Sequence, residues 1–136
     1  MLGCVAVAWL GACGAGDDTP LSASCTDPTA VEKALATAPR PVVLADGTRL
    51  SRCVKQARTA ADLQNLGSSL TAIGERLEDD PAGAERLGYL IGAVRRGTRD
   101  TPGQAAELAH RLERSGAAAA DPDALQRGLR AGERSG

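Results

Sequence analysis

Along the helical part of this sequence a short polar residue recurs directly before proline, at Asp27-Pro28, Asp80-Pro81, Thr101-Pro102 and Asp121-Pro122. Each pair reads as a helix start. The side-chain oxygen of the first residue accepts an orphan backbone N–H, while proline at the first helical position lacks an N–H that would go unpaired and has its φ already set. Thr101 with Gln104, and Thr59 with Asp62, add capping-box spacing. The stops are written as clearly. Pro39 and Pro41 close the first helix, Gly97 follows Arg95 and Arg96, and Gly116 follows Arg111 and Arg114, so that cations sit at a C-terminal dipole before a glycine.

Between these marks the apolar residues recur with helical period. A first helix is expected from Pro28 to about Ala38, with Val31 and Leu35 inward. A second runs from about Ser51 to Glu78 with a break near Thr59. Its residues Leu63, Leu66, Leu70, Ile73 and Leu77 step by three and four and form an a/d seam. A third, Pro81 to Arg96, places Leu87, Leu90, Ile91 and Val94 on one face and should pack antiparallel to the second across a short turn. Gly67 and Gly74 beside the seam, and Gly88 and Gly92 on the third helix, suggest that these two helices approach closely. A fourth helix, Pro102 to Arg114, and a fifth, Pro122 to about Leu129, offer few large apolar residues and read as satellites. Between Pro41 and Leu50 the pattern is not helical: Val42-Val43-Leu44 before Asp46-Gly47 makes either a short hairpin or an apolar loop laid over the core.

The expected fold is therefore all-α, a small antiparallel bundle of four to five helices. A length of 136 residues suits one domain. A formal net charge of -1 argues against a nucleic-acid partner, and a chain with no Phe, one Trp and one Tyr lacks the usual stacking surfaces for sugars and bases.

The N-terminus carries a different kind of signal. Cys4 to Ala12 is an uncharged apolar run, far below the roughly 20 residues that span a bilayer. It fits the core of a signal peptide and closes on Leu10-Gly11-Ala12-Cys13. That tetrad resembles the lipobox of bacterial lipoproteins: a branched apolar residue, two small residues, then a cysteine. The resemblance implies that residues 1–12 are removed, that Cys13 becomes the new N-terminus and carries the lipid, and that 13–24 is a polar, flexible tether. No Lys or Arg precedes the run, a departure from the pattern under which a native start upstream of Met1 is the plainest expectation. A plain secretory signal and an N-terminal helix of a soluble protein are the alternatives. The single helical domain would then be 25–136, with 115–136 loosely attached.

Cysteine parity follows. With Cys4 removed and Cys13 lipidated, Cys25 and Cys53 remain for an oxidising compartment, where a pair is expected to bridge. No Cys-x-x-Cys occurs and the single histidine is distant, so no metal site is expected.

Catalytic signatures are missing from the sequence: no glycine-rich phosphate loop, no His-Glu-x-x-His, no Gly-x-Ser-x-Gly. His110 lies three residues from Glu107 and from Glu113 and reads as part of a solvated charged face. Glu78-Asp79-Asp80 reads as a helix end and an N-cap, since the alternating ligands of a calcium loop are missing. Arg95, Arg96 and Arg99 form a dense basic patch, suited either to anionic lipid and wall polymer or to helix capping. The expected role is a non-enzymatic interaction or structural module. It is held at the outer face of the cytoplasmic membrane or in the periplasm by its lipid, needs no cofactor, and has an envelope protein or wall polymer as partner. The alternative is a small envelope enzyme, or an accessory subunit of one, acting on wall polymer through one carboxylate, for which Glu75, Glu85 and Glu107 are nominal candidates.

Overall fold

The computed structural model describes residues 19–136, and these are predominantly helical. The signal run, Cys13 and the first part of the tether lie outside the described residues. Seven helices follow in order: α1 Ala23–Thr26, α2 Pro28–Leu35, α3 Leu50–Gln56, α4 Ala60–Asp79, α5 Ala84–Thr98, α6 Gln104–Ala117 and α7 Pro122–Ser135. The all-α expectation holds, and the number of helices exceeds it because the second expected helix divides into α3 and α4 and a short turn, α1, precedes the first.

Local chemistry explains most boundaries. Asp27 Oδ1 accepts from Thr29 N at 2.9 Å and Asp121 Oδ1 from Ala124 N at 2.9 Å, so both Asp-Pro pairs cap as expected. At the α3–α4 break, Thr59 Oγ1 accepts from Asp62 N at 3.0 Å while Asp62 Oδ2 accepts from Thr59 N at 3.3 Å, a reciprocal box that starts α4. The other two pairs behave differently. Asp80 Oδ1 accepts from Ala82 N and Asp80 O from Gly83 N, which makes a tight turn after α4 and delays α5 to Ala84. Thr101 caps nothing, because Gly103 at φ 87° redirects the chain and α6 begins only at Gln104. Gly97 is no stop either, since α5 continues to Thr98.

α5 is the centre of the molecule. Ten of its fifteen residues are buried, the signature of a helix covered on every side. Its principal neighbour is α7, which corrects both the expected pairing of α5 with the long helix and the expected loose attachment of 115–136. The physical reason is glycine at backbone contact. A β-carbon at Gly88 would collide with the Leu125 carbonyl, one at Gly92 with the Leu129 carbonyl, one at Gly128 with the Glu85 carbonyl and one at Gly132 with the Tyr89 carbonyl. The positions rise together along both helices, so α5 and α7 run parallel, closer than side chains would permit. α6 is the return connection between them. Gly67 and Gly74 instead face Leu108 and Leu112 of α6.

The segment between α2 and α3 combines both expectations for it. Leu44 N donates to Thr48 O and Gly47 N to Leu44 O, each at 2.9 Å, and a single antiparallel bridge joins Val43 to Arg49. Gly47 takes φ 85° at the turn, where a β-carbon would be strained. Val42 and Leu44 are buried over the core.

The disulfide forms between Cys25 and Cys53 with Cα atoms 5.6 Å apart, and both residues are buried. It fastens α1 to α3. The domain also begins earlier than residue 25: Leu21 packs against the core, Ser22 caps α1, and the Ser22 hydroxyl donates to Asp46. The expected tether therefore loses its last residues to the fold, because one leucine and a disulfide-anchored turn are enough to hold them.

Candidate functional site

A groove of about 320 Å³ lies between α4 and α6. Gly67 opens it by contributing no side chain, and Leu63 and Leu108 form its floor. Its walls carry Gln64 and Ser68 from α4 and Gln104, Glu107 and Arg111 from α6. Amide, hydroxyl, carboxylate and guanidinium groups thus line one trough together with Ala60, Leu63 and Leu108, a surface that offers donors and acceptors beside apolar area of similar extent. Apolar docking is not favoured elsewhere: Val43 is the large hydrophobic residue left exposed among the described residues.

Two of the three arginines at the end of α5 are half-buried and bonded to neighbouring helices. Arg95 Nε donates to Glu113 Oε1 of α6 at 2.7 Å, and its Nη1 donates to Glu133 Oε1 of α7 at 3.3 Å. Arg96 Nη1 donates to the Glu133 carbonyl at 3.1 Å and to the Arg134 carbonyl. Arg96 thereby satisfies terminal acceptors of α7, a cation placed at the negative end of a neighbouring helix. Arg99 is exposed and joins neither interaction. The three arginines do not act as one anionic-surface patch, since two of them tie the bundle together.

Glu113 is the hub of this network, because His110 Nδ1 also contacts its Oε2 at 3.3 Å. Partial burial pushes the Glu113 carboxyl up, but the hydrogen bonds and charges of Arg95 and His110 outweigh it and hold it below the ordinary glutamate range. Partial burial likewise disfavours the Arg95 cation, and its bonds to Glu113 and Glu133 more than compensate, raising it. His110 is 67% exposed, as a charged surface face implies.

The three glutamates considered as catalytic acids are dispersed. Glu75 is exposed on α4, Glu85 of α5 accepts from Arg127 Nε at 3.2 Å, and Glu107 lines the groove. Among the described residues no group of three His, Cys, Asp or Glu side chains is placed to hold a metal ion, and no helix is long and apolar enough to cross a membrane.

Two features escaped the sequence reading. The groove combines polar residues from helices whose pairing was not foreseen. The close seam was announced by Gly128-x-x-x-Gly132, the same spacing as Gly88-x-x-x-Gly92, and matching the two would have paired α5 with α7. No protein-family model, curated protein or solved structure matches the chain.

Proposed function

We propose that this chain is a bacterial cell-envelope lipoprotein, anchored through Cys13, whose helical domain is a non-enzymatic interaction module. The observation that carries the reading is the Cys25–Cys53 bridge. It pairs the two cysteines that remain once Cys4 is cleaved away and Cys13 is lipidated, and a buried structural disulfide belongs to an oxidising compartment. The α4–α6 groove is the surface that would receive a partner, and its polar walls suit an extended segment of an envelope protein or a wall polymer.

Detergent partitioning tests the anchor. Expressed in bacteria with a basic signal n-region added ahead of Met1, the protein should enter the detergent phase, and Cys13→Ala should move it to the aqueous phase. Equal partitioning of the two forms overturns the reading. The position of Glu107 in the groove favours one second reading, a small enzyme acting on wall polymer through that carboxylate. Glu107→Gln separates the two: an enzyme loses release of wall fragments, whereas a binding module releases none with either residue.

A further inference from the structure

Four polar side chains of the α4–α6 groove, Gln64 and Ser68 on α4 and Gln104 and Arg111 on α6, are exposed and have no hydrogen-bond or ion-pair partner among the described residues. Glu107 differs, since Arg114 Nη2 stands 3.9 Å from its Oε1. Gly67 lies opposite Leu108 and Gly74 opposite Leu112, so α4 and α6 run parallel and the groove follows their N-terminal halves. From Ala60 to Ser68 it extends about 12 Å at the rise of an α-helix, which an extended peptide covers in about three to four residues. Gly67 leaves a gap over Leu108, where a β-carbon would meet nothing closer than 4.0 Å, and the gap takes a small aliphatic side chain.

Each group on the walls answers a group of a peptide. The amides of Gln64 and Gln104 both donate and accept, as backbone N–H and C=O require, and the Ser68 hydroxyl does the same. Arg111 is the unpaired charge of the groove, and its planar fork matches a carboxylate. Glu107, one turn before it on α6, repels a carboxylate placed midway, so the end of a peptide belongs at Arg111. Sugar rings are served poorly: Tyr89 is the one Phe, Tyr or Trp among the described residues, and it is sealed on α5 away from the trough. We infer that the groove binds the carboxy-terminal residues of another envelope protein, extended, with the terminal carboxylate on Arg111 and a small side chain at Gly67. This rests on the proposed role of the groove as the partner surface, and the binding itself needs no lipid on Cys13.

Backbone amide shifts of the isotope-labelled, unlipidated Cys13→Ser chain, its disulfide intact, read the binding of acetyl-tetraalanine. The peptide with a free carboxylate is expected to move the amides of residues 60–68 and 104–111. Its C-terminal amide should bind about fivefold more weakly, through loss of one exposed charge-assisted contact. Arg111→Gln should bind both peptides with the affinity that the parent shows for the amide. Arg130→Gln, an equal charge change at an exposed position of α7, should keep the parent's preference, and circular dichroism should show both variants folded. Equal affinity of the parent for the two peptides, shifts confined to other residues, no saturable binding, equal loss in the two variants, or tighter binding of a disaccharide-linked wall peptide than of the plain one each overturns the inference. Failure here in a protein that Cys13 carries into detergent removes the peptide site and leaves the anchored module. Success in a protein that does not partition removes the anchor and leaves the site.

Discussion

Tyr89 is sealed from solvent on α5, and its hydroxyl joins three parts of the chain. It accepts from Val42 N at 2.9 Å and lies 3.1 Å from Ser135 Oγ, which itself donates to Ala131 O at 2.9 Å. The proton order follows: Val42 to Tyr89, Tyr89 to Ser135, Ser135 to α7. Tyr89→Phe strands a buried N–H and should cost about 1 to 3 kcal/mol in a denaturant melt. A change below a few tenths would show that water replaces the hydroxyl. Glu113 gives a pH test. Because its folded pKa is depressed, its contribution is present above the ordinary glutamate value and is lost as pH falls through the lower folded one. Glu113→Gln should therefore lower stability by about 1 kcal/mol at neutral pH, and the gap to the parent should narrow as pH falls below the ordinary glutamate value. A gap that does not change with pH under acid conditions would mean that the side chain acts by packing. Neither role was readable in sequence, since a lone tyrosine has no period and its partners lie 47 and 46 residues away.

The elements are held by two devices of different readability. Caps and seams are local, so Asp27, Thr59, Asp121 and the Leu66-Leu70-Ile73-Leu77 stripe announce their helices directly. Where local signals compete, position decides. Asp80-Pro81 serves as a turn because Asp80 bonds forward to Ala82 and Gly83, and Thr101-Pro102 loses its cap to the positive φ of Gly103. The α5–α7 seam is not local. Its glycines have meaning only against each other, which is why a helix with few large apolar residues looked like a satellite and is instead pressed to the backbone of the central helix. Gly128→Ala should force the two backbones apart and cost roughly 3 kcal/mol, lowering the thermal midpoint by about 10 °C. Gly67→Ala is the control, since its β-carbon would meet only Leu108 Cδ1 at 4.0 Å. Equal shifts in the two variants would refute the seam.

At the scale of the whole molecule, the bundle has no large aromatic core and is stapled instead. The Cys25–Cys53 bridge closes a separation of 28 residues, worth roughly 3 to 4 kcal/mol in the chain-entropy model. Cys25→Ser with Cys53→Ser should lower the melting free energy by about that amount, and a loss well under 1 kcal/mol would show that α1 is fixed without it. Parity of cysteines made the bridge readable from sequence. The groove was not, because it depends on which helices become neighbours. What the chain does rests on its address. Intact mass analysis of the protein extracted from bacterial membranes, made with a basic signal n-region added ahead of Met1, decides it. The anchored-module reading predicts a mature chain beginning at Cys13, heavier by a diacylglycerol and lighter by the two hydrogens of the Cys25–Cys53 disulfide. A chain that begins elsewhere, or that carries Cys13 as a free thiol, contradicts it.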